Sequence, residues 1–131
     1  MSNKTRVLVV DDDVGMCETL SDILEDQGYE VVEANNGQQA VEWAKKSDFD
    51  LVLMDIKMPG MNGVEACKII RDEKPNVRVV LMTAYAVEDL VQEALKDDAV
   101  GIFFKPLDIE KVIKLLQDVK ASARTKELKV L

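Results

Sequence analysis

Five short apolar runs alternate with stretches of helical periodicity along the 131 residues, and this alternation constrains the fold more than any other feature of the chain. The runs are RVLVV (6–10), EVVEA (30–34), DLVLM (50–54), VRVVLM (77–82) and GIFF (101–104). Strands alternating with helical patterns indicate parallel strands joined by crossover helices, an α/β fold. Four of the runs are nearly continuous in apolar residues, as strands covered on both faces are, whereas EVVEA carries charges and reads as the peripheral strand. Between the runs, Val87, Leu90, Val91, Ala94 and Leu95 recur at helical spacing, as do Ile109, Val112, Ile113, Leu116 and Val119. Leu115 falls off the second stripe and is expected at the surface. A first helix is predicted over 14–27 with Gly28 as its left-handed stop, Gly37 opens a second, and Gly63 precedes a third.

The length is that of one domain, expected over 1–120, with 121–131 extending the last helix or starting a linker. No apolar run approaches the roughly 20 residues of a membrane span. The opening MSNKTR lacks the apolar stretch of a signal peptide, so a cytoplasmic protein with no membrane partner is expected.

What the chain lacks narrows its chemistry. It has no histidine, which removes any Ser/His/Asp or Cys/His triad. Its two cysteines, Cys17 and Cys67, form no CxxC pair and read as small core residues rather than as zinc ligands or a disulfide. A net charge of -8 argues against direct nucleic-acid binding and favours a cation as small partner. Chemistry must therefore run on carboxylates, lysine and hydroxyls.

In an open parallel sheet, ligands bind outside the carboxyl ends of the strands, near the point where the winding reverses. The first run ends in Asp11 and Asp12, the third in Asp55, the fourth in Thr83 and the fifth in Lys105, while the peripheral one ends in the uncharged Ala34 and Asn35. Each has a bland explanation: Asp11 to Asp13 can cap the next helix, Thr83 can finish a strand as a β-branched residue, and Lys105 before Pro106 can be an extended turn dipeptide. Asp55 is harder to dismiss, because KMPG after it is a turn and not a helix start. Three carboxylates at one edge repel one another unless a cation neutralises them, and a hard divalent ion such as Mg2+ fits that donor set. Asp55 then remains as a candidate nucleophile toward phosphorus.

The segments VLVVDDD, LVLMDIKMPGMNG, VVLMTAY and FFKP resemble, in order and spacing, the four signature segments of the receiver domain of two-component response regulators, over residues 5 to about 120. The resemblance implies a (βα)5 flavodoxin-like, doubly wound parallel sheet of five strands in the order 2-1-3-4-5. It implies that Asp55 accepts a phosphoryl group from a histidine on a partner histidine kinase or phosphotransfer protein. Asp12 would ligate Mg2+ (or Mn2+) directly, Asp11 through water, and the carbonyl of Lys57 would complete the protein ligands beside Asp55. Lys105 would neutralise the phosphoryl group with its bond to Pro106 cis, Thr83 would swing toward the phosphate, and Ala84 would leave its approach open.

Output would be a repacking of the face made by the stripe from Val87 to Leu95, the run 101–104 and the last helix, read by an effector protein, by a covalently linked output domain or by a second copy in a dimer. Ile102 stands where most members carry the aromatic residue that rotates with the threonine, and Asp98 stands where a glycine commonly ends the preceding helix. Lys57 and Tyr85, two residues after Asp55 and Thr83, are expected to modulate the lifetime of the phosphoryl group. The segments also resemble single-domain members of sporulation phosphorelays and receiver domains of enhancer-binding regulators. Three rival functions are weaker. A Mg2+-dependent aspartate phosphatase commonly carries an acid where Lys57 stands. A flavin carrier needs a phosphate loop that DDDVG would repel. A receiver-like domain acting without phosphorylation has usually lost acidic or lysine positions that this chain retains.

Overall fold

The computed structural model describes residues 4–84, 92, 96 and 101–125. Five strands, β1 (Arg6–Val10), β2 (Glu30–Ala34), β3 (Leu51–Asp55), β4 (Arg78–Thr83) and β5 (Gly101–Phe104), form one parallel sheet in the order β2-β1-β3-β4-β5. Helices α1 (Val14–Asp26), α2 (Gly37–Lys46) and α3 (Gly63–Glu73) follow the first three strands, and the C-terminal helix, Ile109–Thr125, follows β5. This is the flavodoxin-like arrangement expected, and the winding reverses between β1 and β3.

Successive strand residues point to opposite faces, so a continuous apolar run supplies two cores. Leu8, Val10, Val52, Met54 and Leu81 pack on one face against α2 and α3. Val7, Val9, Leu51, Leu53 and Met82 pack on the other against Cys17, Leu20 and Leu24 of α1 and Val112, Leu116 and Val119 of the C-terminal helix. Each such leucine, fully buried, contributes roughly 2 kcal/mol.

The helix ends follow local chemistry. Tyr29 N–H donates to Leu24 O and Gly28 N–H to Glu25 O, with Gly28 at φ +94°, so the predicted glycine stop is a Schellman turn. Asn62 and Glu65 form a capping box at the start of α3, at 2.9 and 3.1 Å. Gly63 therefore does not precede α3 but is its first residue.

Three further expectations are corrected. β3 and β4 run one residue later than the apolar pattern suggests, because the ladder continues through the polar residue at each end: Asp55 pairs in register with Met82, and Ile56 N–H donates to Met82 O at 2.9 Å. GIFF reads from its composition as a strand covered on both faces, yet Phe104 is 58 % exposed; β5 stands at the sheet edge opposite β2, as the implied strand order has it. Leu115 is only 5 % exposed, because it lies three residues from Val112 and four from Val119 and so shares their face.

The stripe from Val87 to Leu95, Tyr85 and Asp98 lie outside the described residues, as does 126–131. Gln92 and Lys96, at polar positions in and just beyond that stripe, are helical and exposed. Among the described residues no helix is long and apolar enough to cross a membrane.

Candidate functional site

The carboxyl ends of β1, β3 and β5 converge. Asp11, one residue past β1, is tied to β2 by its N–H, which donates to Ala34 O at 3.2 Å, and is 2 % exposed. Asp13 is the N-cap of α1, accepting from Met16 N–H at 3.1 Å, so the capping explanation holds for it and not for its neighbours. Asp12 between them is exposed. Asp55 ends β3 and is 7 % exposed. Ligand oxygens of Asp11, Asp12 and Asp55 all lie within 4.8 Å of one another.

Lys105 reaches into this group from the end of β5. Its Nζ donates to Asp11 Oδ2 at 2.6 Å and to Asp55 Oδ2 at 3.2 Å. The bond to Pro106 is cis, and Lys105 N–H donates to Thr83 O at 2.8 Å, which binds the lysine loop to the end of β4. A cleft of about 620 Å³ opens over these groups, with Asp12, Lys57 and Ala84 on its walls. Thr83 is 1 % exposed and does not line the cleft, although the next residue, Ala84, does. Ile102, half-buried, pairs in register with Leu81 and packs against the face covered by α2 and α3.

The electrostatics show the strain of this arrangement. Burial, with the Asp11 charge adding to it, pushes the Asp55 carboxyl above the ordinary carboxylate range although Lys105 and the Lys57 backbone amide partly offset the effect. Burial lowers the tendency of Lys105 to hold its proton, but the hydrogen bond to Asp11 and the two carboxylate charges outweigh it and leave the lysine above its ordinary value. One ammonium thus serves two buried carboxylates.

A glycine and an amide matter in ways that the sequence pattern does not show. A Cβ on Gly63 would stand 2.2 Å from Asp55 O and 2.9 Å from Ile56 Cα, so only glycine lets α3 start directly over the end of β3. Asn35, dismissed on sequence as uncharged, donates from Nδ2 to Asp11 O at 3.2 Å. The Cys17 thiol approaches the same oxygen at 3.3 Å. Burial, with the Asp11 charge next, pushes this thiol up to about 12, so it keeps its proton and donates. The only signal for Asn35 was the implied neighbourhood of the first two strands.

Residues 7–117 match the response regulator receiver domain family. The chain is a response regulator receiver domain. It is 44 % identical over 121 residues to the transcriptional regulatory protein ZraR of Klebsiella oxytoca, covering 92 % of this chain and 27 % of that one. It is 39 % identical over 107 residues to sporulation initiation phosphotransferase F of Bacillus subtilis, covering 82 % and 86 % of the two. This receiver domain therefore spans about a quarter of the regulator and most of the phosphotransferase. Its fold superposes on the response regulator TrrA of Thermotoga maritima, solved in complex with Mg2+ and BeF, with a TM-score of 0.79 and 30 % identity over 88 % of this chain and 98 % of that one. Membership places the receiver domain in two-component phosphorelay signalling.

Proposed function

We propose that this receiver domain is a switch that takes a phosphoryl group from a phosphohistidine of a partner kinase or phosphotransfer protein onto Asp55. The observation that carries this is the convergence of Asp55, Asp11, Asp12 and Lys105 at one open cleft. An Asp55 oxygen attacks phosphorus, the phosphorus–nitrogen bond breaks, and its electron pair leaves with the partner imidazole. The partner must supply the histidine, since this chain has none.

The donor set is all hard oxygen, which suits Mg2+ and, less selectively, Mn2+. Asp11, Asp12, Asp55 and the carbonyl of Lys57 would hold the ion. Bound there, it supplies charge neutralisation for the phosphoryl oxygens. Lys105 exchanges its bonds to Asp11 and Asp55 for the transferred phosphoryl oxygens. The Thr83 hydroxyl, buried at the end of β4, moves to donate to one of them, and the shift repacks the output face that includes β5 and the C-terminal helix, with Ile102 standing at the place of the usual aromatic residue. Lys57, exposed at the cleft, and Tyr85 screen the acyl phosphate from water. The switch would dephosphorylate itself at most slowly and be read by an effector, a linked output domain or a dimer partner.

The test is incubation with Mg2+ and a small acyl-phosphate donor, followed by intact-mass measurement. Wild type is expected to gain one phosphoryl group, with no gain when the metal is chelated beforehand, and Asp55→Asn none. Equal uptake by the variant would refute the assignment.

A further inference from the structure

The carbonyl of Asp11 sits where β1, β2 and α1 meet, and it is held from two sides. Asn35 Nδ2 donates to it at 3.2 Å from beyond the end of β2, and the Cys17 thiol donates at 3.3 Å from the first turns of α1. Asn35 is itself fixed, because its backbone N–H donates to Gln39 Oε1 at 2.9 Å and its neighbour Asn36 caps α2. The rest of Asp11 is equally engaged: its N–H with Ala34, its Oδ1 with the Asp13 N–H at 3.0 Å, and its Oδ2 with Lys105. Asn35 carries no charge and takes no part in the transfer described above.

We propose that Asn35 is a positioning residue for the cation site: its carboxamide clamps the Asp11–Asp12 peptide so that both carboxylates face Asp55 before a cation arrives. The inference rests on the reading that the acidic edge holds Mg2+. Two consecutive carboxylates beside a third repel one another, and the cheapest relief is rotation of the peptide that joins them. The carbonyl of that peptide is the one Asn35 and Cys17 grip. A thiol is a weak donor, so the carboxamide provides most of the hold. With the peptide clamped, cation binding need not supply the ordering that a free loop would require. Loss of a partner that orients a ligand typically weakens metal affinity about tenfold or more.

The experiment is calorimetric titration of Mg2+ into the full chain as wild type, Asn35→Ala and Asn35→Leu, with melting temperatures in chelator and phosphoryl uptake from an acyl phosphate at limiting and saturating Mg2+. Leucine keeps the branched shape of asparagine without its donor, so it stands in if the alanine variant does not fold. The expected result is a Kd for Mg2+ about tenfold weaker in the variants, with an uptake deficit at limiting Mg2+ that disappears at saturation. A merely structural asparagine would lower the melting temperature and leave the Kd in place. A variant that folds and binds Mg2+ as wild type does, or whose deficit persists at saturation, overturns the inference alone. A wild type that takes up no Mg2+ overturns the proposed function and this inference with it.

Discussion

Both ends of the sheet carry charge, and they handle it in opposite ways. At the amino end, Arg6 opens β1 with its N–H on Asp50 Oδ2 and its Nη1 on Asp48 O, both at 2.8 Å, its Nε paired with Glu30 and its guanidinium 4.8 Å over the Phe49 ring. Lys74 pairs with Asp48, and that hydrogen bond holds the Asp48 carboxyl below its ordinary value. At the carboxyl end, Asp11 and Asp55 share the single ammonium of Lys105, Asp12 stands within ligand distance, and burial drives the Asp55 carboxyl upward. The same residue type finds a matched partner at one end and a shortage of positive charge at the other. A network in which each carboxylate has its own donor is scaffold, whereas a buried one in which two carboxylates share one ammonium marks a place for a cation.

The largest break of that contrast is expected from Lys105→Met. Removing the ammonium leaves buried carboxylates unpaired and should cost the metal-free protein roughly 3 kcal/mol in urea unfolding. Added Mg2+ should then restore more stability to the variant than it adds to wild type; no such recovery would mean that the carboxyl end is not short of cations. Arg6→Met at the other end should cost about 1 kcal/mol through lost pairing and stacking. It should show no preferential recovery with Mg2+ and wild-type phosphoryl uptake, and a Mg2+-dependent defect would erase the distinction between the ends.

The smallest effect is in pH. The folded pKa of Asp55 lies above its ordinary 3.8, so its contribution to stability is complete below that value and is lost as pH rises through the raised one. The folded pKa of Asp48 lies below 3.8, so its contribution is present above that value and is lost as pH falls through the lowered one. In chelator, the melting-temperature differences of Asp55→Asn and Asp48→Asn from wild type should therefore slope in opposite directions with pH. Parallel slopes would show that the two aspartates do not differ as described.

Much of the site was legible residue by residue. Asp11, Asp12, Asp55, Thr83 and Lys105 stand where apolar runs stop, and a parallel sheet brings all such ends to one edge. Asp13 could not be separated from its neighbours in the pattern, because an aspartate that caps a helix and one that faces a cleft have the same identity and nearly the same position. Leu115 was misread because the stripe on the C-terminal helix is wider than one residue per turn. The exposure of Phe104 was not legible because a strand's own composition does not say how much of each of its faces a helix covers.

The sequence by itself determined the element order, the five strands, the faces that form the two cores and the carboxylates at the strand ends, since periodicity and chain order are local properties. Only the tertiary structure decided that Lys105, 94 residues from Asp11, bonds to it, that Thr83 is buried, and that Asn35 grips the Asp11 carbonyl. Those facts depend on which strands are neighbours and on how far each group is removed from water, and packing sets both.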